Sequence, residues 1–207
     1  CKEIFDRLRS YADDQIERYR IQFIDELTAQ ALEAELPLEI DFPRFRILKG
    51  IEGDVDFSTR KTTYNKKPLK SVDPRRIVSA ALKVKRDLYD GPFDPEVFIE
   101  RVYKTYTAIL KREKKADGDP VPIQSFYRDY VLSLQSNTFF QNMDKGRFRG
   151  YSADQMAVDF WRYFEAGIGG ADGRLLQLSS GRGTSLWLID SDGEKRQITS
   201  IAFQERK

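Results

Sequence analysis

The longest regular pattern of apolar and polar positions in the chain is helical, and it comes first. Ile4, Leu8 and Tyr11, then Ile16, Tyr19, Phe23 and Leu27, recur at three- and four-residue steps, with one slip between Tyr11 and Ile16 and no breaker before Pro37. The pattern predicts a helix over about 2–36, with large apolar side chains on one face and dense charge on the other. Residues 1–37 are therefore read as a long acidic amphipathic helix that packs on a domain or forms a coiled-coil end, available to a protein partner or to self-association.

From 38 to 72 the period changes. PRFRILKG, GDVDFST and KTTYN alternate or cluster strand-forming residues between Gly50, Gly53 and Pro68, which predicts two or three short strands. Asp73-Pro74 and Asp94-Pro95 each pair a capping carboxylate with a proline in the first helical turn, where its missing N–H costs nothing. The first announces a helix over about 74–89 that buries Ile77, Ala81, Val84 and Leu88. The second announces one over about 95–115 carrying Val97, Phe98, Val102, Tyr106, Ile109 and Leu110. The run KREKKADGDP reads as a solvated helix end and linker, placing a domain boundary at roughly 116–121 and defining 38–116 as a basic α+β region.

Beyond the linker, IQSFYRDYVLSLQ reads as a helix and NTFFQNMDKGRFRG as an irregular connector. YSADQMAVDFWRYFEAG has a capping box, Ser152 with Gln155, then Met156, Phe160 and Phe164 at four-residue steps and Gly167 as the stop. Three strand candidates follow: Arg174–Ser179, Ser185–Asp190 and Arg196–Phe203. A Gly-Arg-Gly turn and the Asp192-Gly193 hairpin signal join them, and Leu176, Leu178, Leu186, Leu188, Ile198 and Ile201 form the inward set. Helices followed by a hairpin in this order resemble a winged helix, in which one helix enters the major groove and the hairpin touches the flanking backbone. The expected fold class is α+β: a long N-terminal helix, a small β region with helices, then a winged-helix-like domain over 121–207 with a three-stranded antiparallel sheet.

Composition narrows the chemistry. The 207 residues are 40% hydrophobic and 33% charged, as in a globular protein with real cores. No apolar run approaches the roughly 18–20 residues that span a bilayer, and CKEIFDRLRS lacks the layout of a signal peptide, so a cytoplasmic protein with no membrane partner is expected. The chain opens on Cys1 and runs straight into a helical pattern, as a piece of a longer or processed chain would. A single cysteine forbids an internal disulfide. The absence of histidine removes the Ser-His-Asp and Cys-His pairs, the His general base and the His-ligated metal sites. Carboxylate, Lys or Tyr chemistry, or Mg²⁺ held by acids, would be left to an enzyme.

Charge changes the picture most. The formal net charge is only +2, yet residues 1–41 hold eleven acids against five bases, while 60–86 hold ten bases against the single acid Asp73. Arg60, Lys61, Lys66, Lys67, Lys70, Arg75, Arg76, Lys83 and Arg86 are the candidates for phosphate contact, interleaved with Thr62, Thr63, Tyr64 and Ser71, whose hydroxyls join such contacts. The alternative is that this segment folds against the acidic helix or against a partner subunit.

In the C-terminal part Lys145, Arg147 and Arg149 precede the capped helix, where its dipole would add to phosphate attraction. Arg182 would sit at a wing tip. Gln155, Asp159 and Arg162 are the side chains that helix offers for base reading, although Asp154 and Asp159 would repel a backbone. Asp54 and Asp56 flank Val55 on a predicted strand and invite a Mg²⁺-dependent nuclease reading, but the matching Glu-x-Lys half is missing. DSDGEK at 190–195 reads as a hairpin turn rather than a calcium loop, and GIGGADGR at 167–174 as a connector. The sequence thus points to a nonenzymatic DNA-associated protein with no catalytic residue, metal or cofactor. A protein–protein adaptor or assembly subunit stands as the alternative, and a metal-dependent nuclease as the third reading.

Overall fold

The computed structural model describes residues 2–65 and 67–205, and the chain divides into two compact units, 1–90 and 91–207. The first begins with helix α1 (Lys2–Glu33). Five short strands follow, β1 (Glu39–Asp41), β2 (Arg44–Leu48), β3 (Ile51–Asp56), β4 (Lys61–Tyr64) and β5 (Lys67–Leu69), and then helix α2 (Pro74–Tyr89). The strands form an antiparallel meander in which sequence neighbours are sheet neighbours. Burial alternates along β2, β3 and β4, so Phe45, Ile47, Ile51, Val55, Thr62 and Tyr64 face inward. The core is completed by Phe23, Leu27 and Ala31 of α1 and by Ile77, Val78, Ala81 and Leu88 of α2.

Hydrogen bonds of Tyr64 and Asn65 help pin this unit. The Tyr64 hydroxyl donates to the Ile77 carbonyl at 2.9 Å, tying sheet to helix. Asn65, at a left-handed φ of 43°, donates its amide to Gly50 O at 2.7 Å and accepts from Glu52 N–H at 3.1 Å, joining the β4–β5 turn to the β2–β3 turn. Gly53 stands opposite Phe45 in the β2–β3 register, and a Cβ there would lie 2.1 Å from the Phe45 ring. The ring fills the space a side chain would need.

The second unit contains α3 (Pro95–Glu113), β6 (Val121–Pro122), α4 (Ile123–Ser133), α5 (Asn137–Asn142), a 3-10 turn at Lys145–Arg147 and α6 (Ala153–Glu165). Strands β7 (Arg174–Ser179), β8 (Leu186–Ile189), β9 (Lys195–Ile198) and β10 (Ser200–Glu205) complete it. Its core gathers Phe98, Val102 and Tyr106 of α3, Phe126 and Tyr130 of α4, Met156 and Phe160 of α6, and Phe203 of β10. The helix starts follow the caps read from sequence: Asp73, Asp94 and Ser152 each accept from backbone N–H groups of the first turn.

Mixed helix and sheet, a long N-terminal helix and antiparallel strands are as expected, but the details differ in four respects. The meander has five strands rather than two or three, because β1 and β5 are three-residue edge strands too short to show a period. The expected strand 196–203 is broken at Thr199, whose N–H and hydroxyl both turn to Ser179 O. The C-terminal strands consequently form two sheets, β6–β10–β7 and the separate hairpin β8–β9, in place of one three-stranded meander. The chain divides at Asp90–Gly91 rather than at 116–121, since α3 buries Phe98, Ile99, Val102, Ile109 and Leu110 in the second unit's core.

Gly53→Ala is expected to destabilise the first unit by about 1–3 kcal/mol through overpacking against Phe45. Chemical denaturation checks this, and pairing the change with Phe45→Leu should cost less than the sum of the two single changes.

Candidate nucleic-acid interface

In the first unit the apolar side of α2 is buried, and this turns its charged side outward. Asp73 caps the helix by accepting from Arg75 N–H at 2.9 Å, and Ser71 Oγ accepts from Asp73 N–H at 3.1 Å, so the entry to α2 is held locally. Arg75, Arg76, Lys83 and Arg86 are all exposed. At 100° per residue they fall within a sector of about 100° along roughly 16 Å of helix. Arg60 closes the β3–β4 turn, Lys61 opens β4, Lys67 lies on the edge strand β5 and Lys70 follows it; all four are exposed. Lys66 lies outside the described residues.

Among the described residues none of these eight bases forms an ion pair, whereas the neighbouring Lys85 meets Asp90 at 3.0 Å. Among the described residues the ion pairs of α1 are with its own bases, Glu3 with Arg7 and Glu17 with Arg20. Among the described residues no acid of α1 forms an ion pair with a base of 60–86.

The outer face of the meander behaves differently. Its cross-strand register places Asp41, Arg44 and Asp54 in one row and Glu39, Arg46 and Glu52 in another, so signs alternate from strand to strand. The Arg46 guanidinium beside Glu39 holds that carboxyl below its usual range. Asp54 sits 3.9 Å from Arg44. Asp56 accepts from the hydroxyls and backbone N–H groups of Ser58 and Thr59, which draws its carboxyl down to about 2. Both acids of the nuclease reading thus have structural partners, and no group of three or more possible ligands is placed to hold a metal among the described residues. The eight exposed bases lie on α2, at the β3–β4 turn and along the β4–β5 edge.

In the second unit the expected base-readers turn inward. Asp159 is buried, accepting from the Tyr151 hydroxyl at 2.7 Å and from the Gln155 amide at 2.9 Å. Arg162 stands 4.0 Å from the same carboxylate and 4.3 Å over the Phe93 ring. α6 is packed against α3 and against β8, so of Ala153–Glu165 only Glu165 is fully exposed. Gln155 and Arg162 are held within the unit rather than presented to a groove. Burial raises the Asp159 carboxyl above its ordinary range, and its hydrogen bonds offset only part of this.

The remaining candidates are at the surface. Lys145, Arg147 and Arg149 lie on the stretch 141–150, every residue of which is exposed; Arg147 pairs with Asp144 at 3.6 Å. Gln135 clasps the backbone of Arg149 through two hydrogen bonds of 2.8 and 3.0 Å, fixing where this stretch rejoins the fold. Exposed Phe140, Met143 and Phe148 accompany these bases and were not singled out from sequence, although FFQNMDKGRFR shows the interleaving. Arg182 is exposed in the β7–β8 loop, but it is not a hairpin tip, since β7 pairs with β10 and β8 with β9. The DSDGEK turn is as read: Asp190 accepts from Asp192 and Glu194 N–H groups and meets Arg196 at 2.8 Å.

No helix among the described residues is long and apolar enough to cross a membrane. No family model, no curated protein and no solved structure matches the chain.

Asp159 holds its proton to higher pH in the folded chain than in the unfolded one, so the folded state binds more protons across that interval. Its contribution to stability therefore improves as pH falls through the folded value and worsens as pH rises. Relative to Asp159→Asn, the parent should gain stability as pH is lowered from about 7 to 4, an interval that brackets an upward-shifted carboxylate. Denaturation midpoints of the two proteins across that range check the direction.

Proposed function

We propose that this chain binds the phosphate backbone of duplex DNA, without catalysis, through the outward side of α2 and the β4–β5 edge. The observation that carries the reading is the set of eight exposed bases with no acidic partner among the described residues. Exposed unpaired cations gain by releasing condensed counterions when they meet phosphates, and this makes affinity fall with salt. The roughly 16 Å between Arg75 and Arg86 covers several phosphates of one strand at about 3.4 Å each. Contacts of this kind orient a protein on the duplex and carry no base information.

The second unit is read as a winged-helix-like module that has lost the reading function of its helix. What supports the likeness is the element order, α3–β6–α4–α6–β7–β10, with the last strand between the other two in the sheet. What argues against base readout is the inserted β8–β9 hairpin packed on α6, together with the internal engagement of Gln155 and Arg162. Lys145, Arg147, Arg149 and Arg182 would then add backbone contacts only. The likeness is one of architecture, and function rests on the surface rather than on the fold.

Fluorescence anisotropy of a labelled random duplex, titrated at several salt concentrations, tests this. Changing Arg75, Arg76, Lys83 and Arg86 to Gln is expected to weaken binding on every sequence alike and to reduce the log–log salt slope by about 3 to 4. Absence of binding at low salt, or a slope unchanged in the variant, would overturn the reading.

A further inference from the structure

We infer that α1 pairs antiparallel with α1 of a second copy of this chain, about a two-fold axis at Ala12. The inference does not depend on the phosphate reading, because it concerns a different surface and different residues.

α1 divides into two halves. From Phe23 onward its apolar side is buried at Phe23, Leu27 and Ala31, whereas residues 3–19 are exposed throughout. Phe5 is 71% exposed, Leu8 59% and Ile16 63%. At 100° per residue Phe5, Leu8, Ala12, Ile16 and Tyr19 fall within a sector of about 80°, and Phe23 falls in the same sector. The stripe that packs the first unit therefore continues outward with nothing covering it. Scattered single apolar residues on a surface need no explanation, but a continuous stripe on one helix face does. Most helical stability in proteins comes from packing of an amphipathic face, and a partner is what would supply it here.

The stripe is complementary to itself when reversed. With Ala12 facing the partner's Ala12, Leu8 comes opposite the partner's Ile16 and Phe5 opposite the partner's Tyr19, each pair occurring twice. The small alanine at the axis lets the two helices approach closely. Arg9 and Asp13 lie on the same flank of the stripe, so each Arg9 approaches the partner's Asp13 in the reversed arrangement, again twice.

The far end of each partner helix also finds an apolar surface. Tyr19 lies 5.1 Å edge-on to Phe57, and Phe57 stacks 5.5 Å from Phe42, the last two being half-buried. Phe5 of the partner subunit, placed opposite Tyr19, would extend this aromatic group. A parallel pair would instead set Phe5 against the partner's Phe5, at the end of the helix remote from it. The aromatic cluster therefore favours the antiparallel arrangement.

Disulfide trapping tests direction and register together, in full-length protein carrying Cys1→Ser. Ala12→Cys is expected to cross-link to itself under mild oxidation. Leu8→Cys alone should not, because the two copies of position 8 lie eight residues apart along the pair, about 12 Å, beyond disulfide reach. Leu8→Cys mixed with Ile16→Cys should restore cross-linking. Sedimentation equilibrium should show a dimer for the parent and a monomer for Leu8→Asp/Ile16→Asp. Both positions are exposed, so that variant should keep the parent's thermal unfolding. A parent that stays monomeric at micromolar concentration would overturn the inference, and so would Leu8→Cys cross-linking to itself as fast as Ala12→Cys.

Discussion

Burial of one side of α2 is the constraint on which the first unit depends. Ile77, Val78, Ala81 and Leu88 are inside, and Tyr64 reaches across from the sheet to bond the Ile77 carbonyl. A helix so anchored has no choice about its remaining sides. Placing Arg75, Arg76, Lys83 or Arg86 in the core without a partner would cost far more than the packing returns, so they stand in solvent. The positive surface is thus a by-product of apolar packing, and the alternating signs on the sheet's outer face keep it from spreading there.

The second unit is organised around an opposite solution. The capped helix α6 packs against α3 and β8, and it carries a buried carboxylate at Asp159. That charge is tolerable because Tyr151 and Gln155 both donate to it and Arg162 approaches it. The same contacts consume the polar side chains that an exposed helix would have offered to a ligand. A helix can serve as a core element or as a reading element; here the inserted β8–β9 hairpin decides for the core.

α1 combines both situations in one element. Its second half is an ordinary amphipathic helix on a core, and an aromatic group of Tyr19, Phe23, Phe42 and Phe57 marks where that role begins. Its first half keeps the same stripe with no body beneath it. If two copies pair along that half as inferred and the basic face meets phosphates as proposed, the pair would carry two such faces, and linkage would raise affinity without new contacts.

The local signals in the sequence were sufficient for the local structure. Asp73, Asp94 and Ser152 marked helix starts because a cap bonds to its own first turn, and Asp190 to Lys195 marked a hairpin because Asp190 bonds to its own loop. The three- and four-residue spacing likewise picked out Ile77, Ala81 and Leu88 of α2, Phe98, Val102, Tyr106, Ile109 and Leu110 of α3 and Met156 and Phe160 of α6, whereas Val84 and Phe164 are only half-buried and Val78, Ile99, Val158 and Tyr163 joined the core without that signal. Partner choice was not readable, because it depends on residues far apart in the chain. Thr199 splits an apparently continuous strand because β10 pairs with β6 and β7 while β9 pairs with β8. The apolar stripe of α1 was visible in the sequence, but three- and four-residue steps occur in both the exposed and the buried half, so they do not mark where the cover ends. The ten bases of 60–86 were equally plain, yet whether the described ones among them would pair with the acids of α1 was decided only when α2 folded with its apolar side inward. Sequence determined which residues were charged and which faces were apolar; the tertiary structure determined which of them were left without a partner.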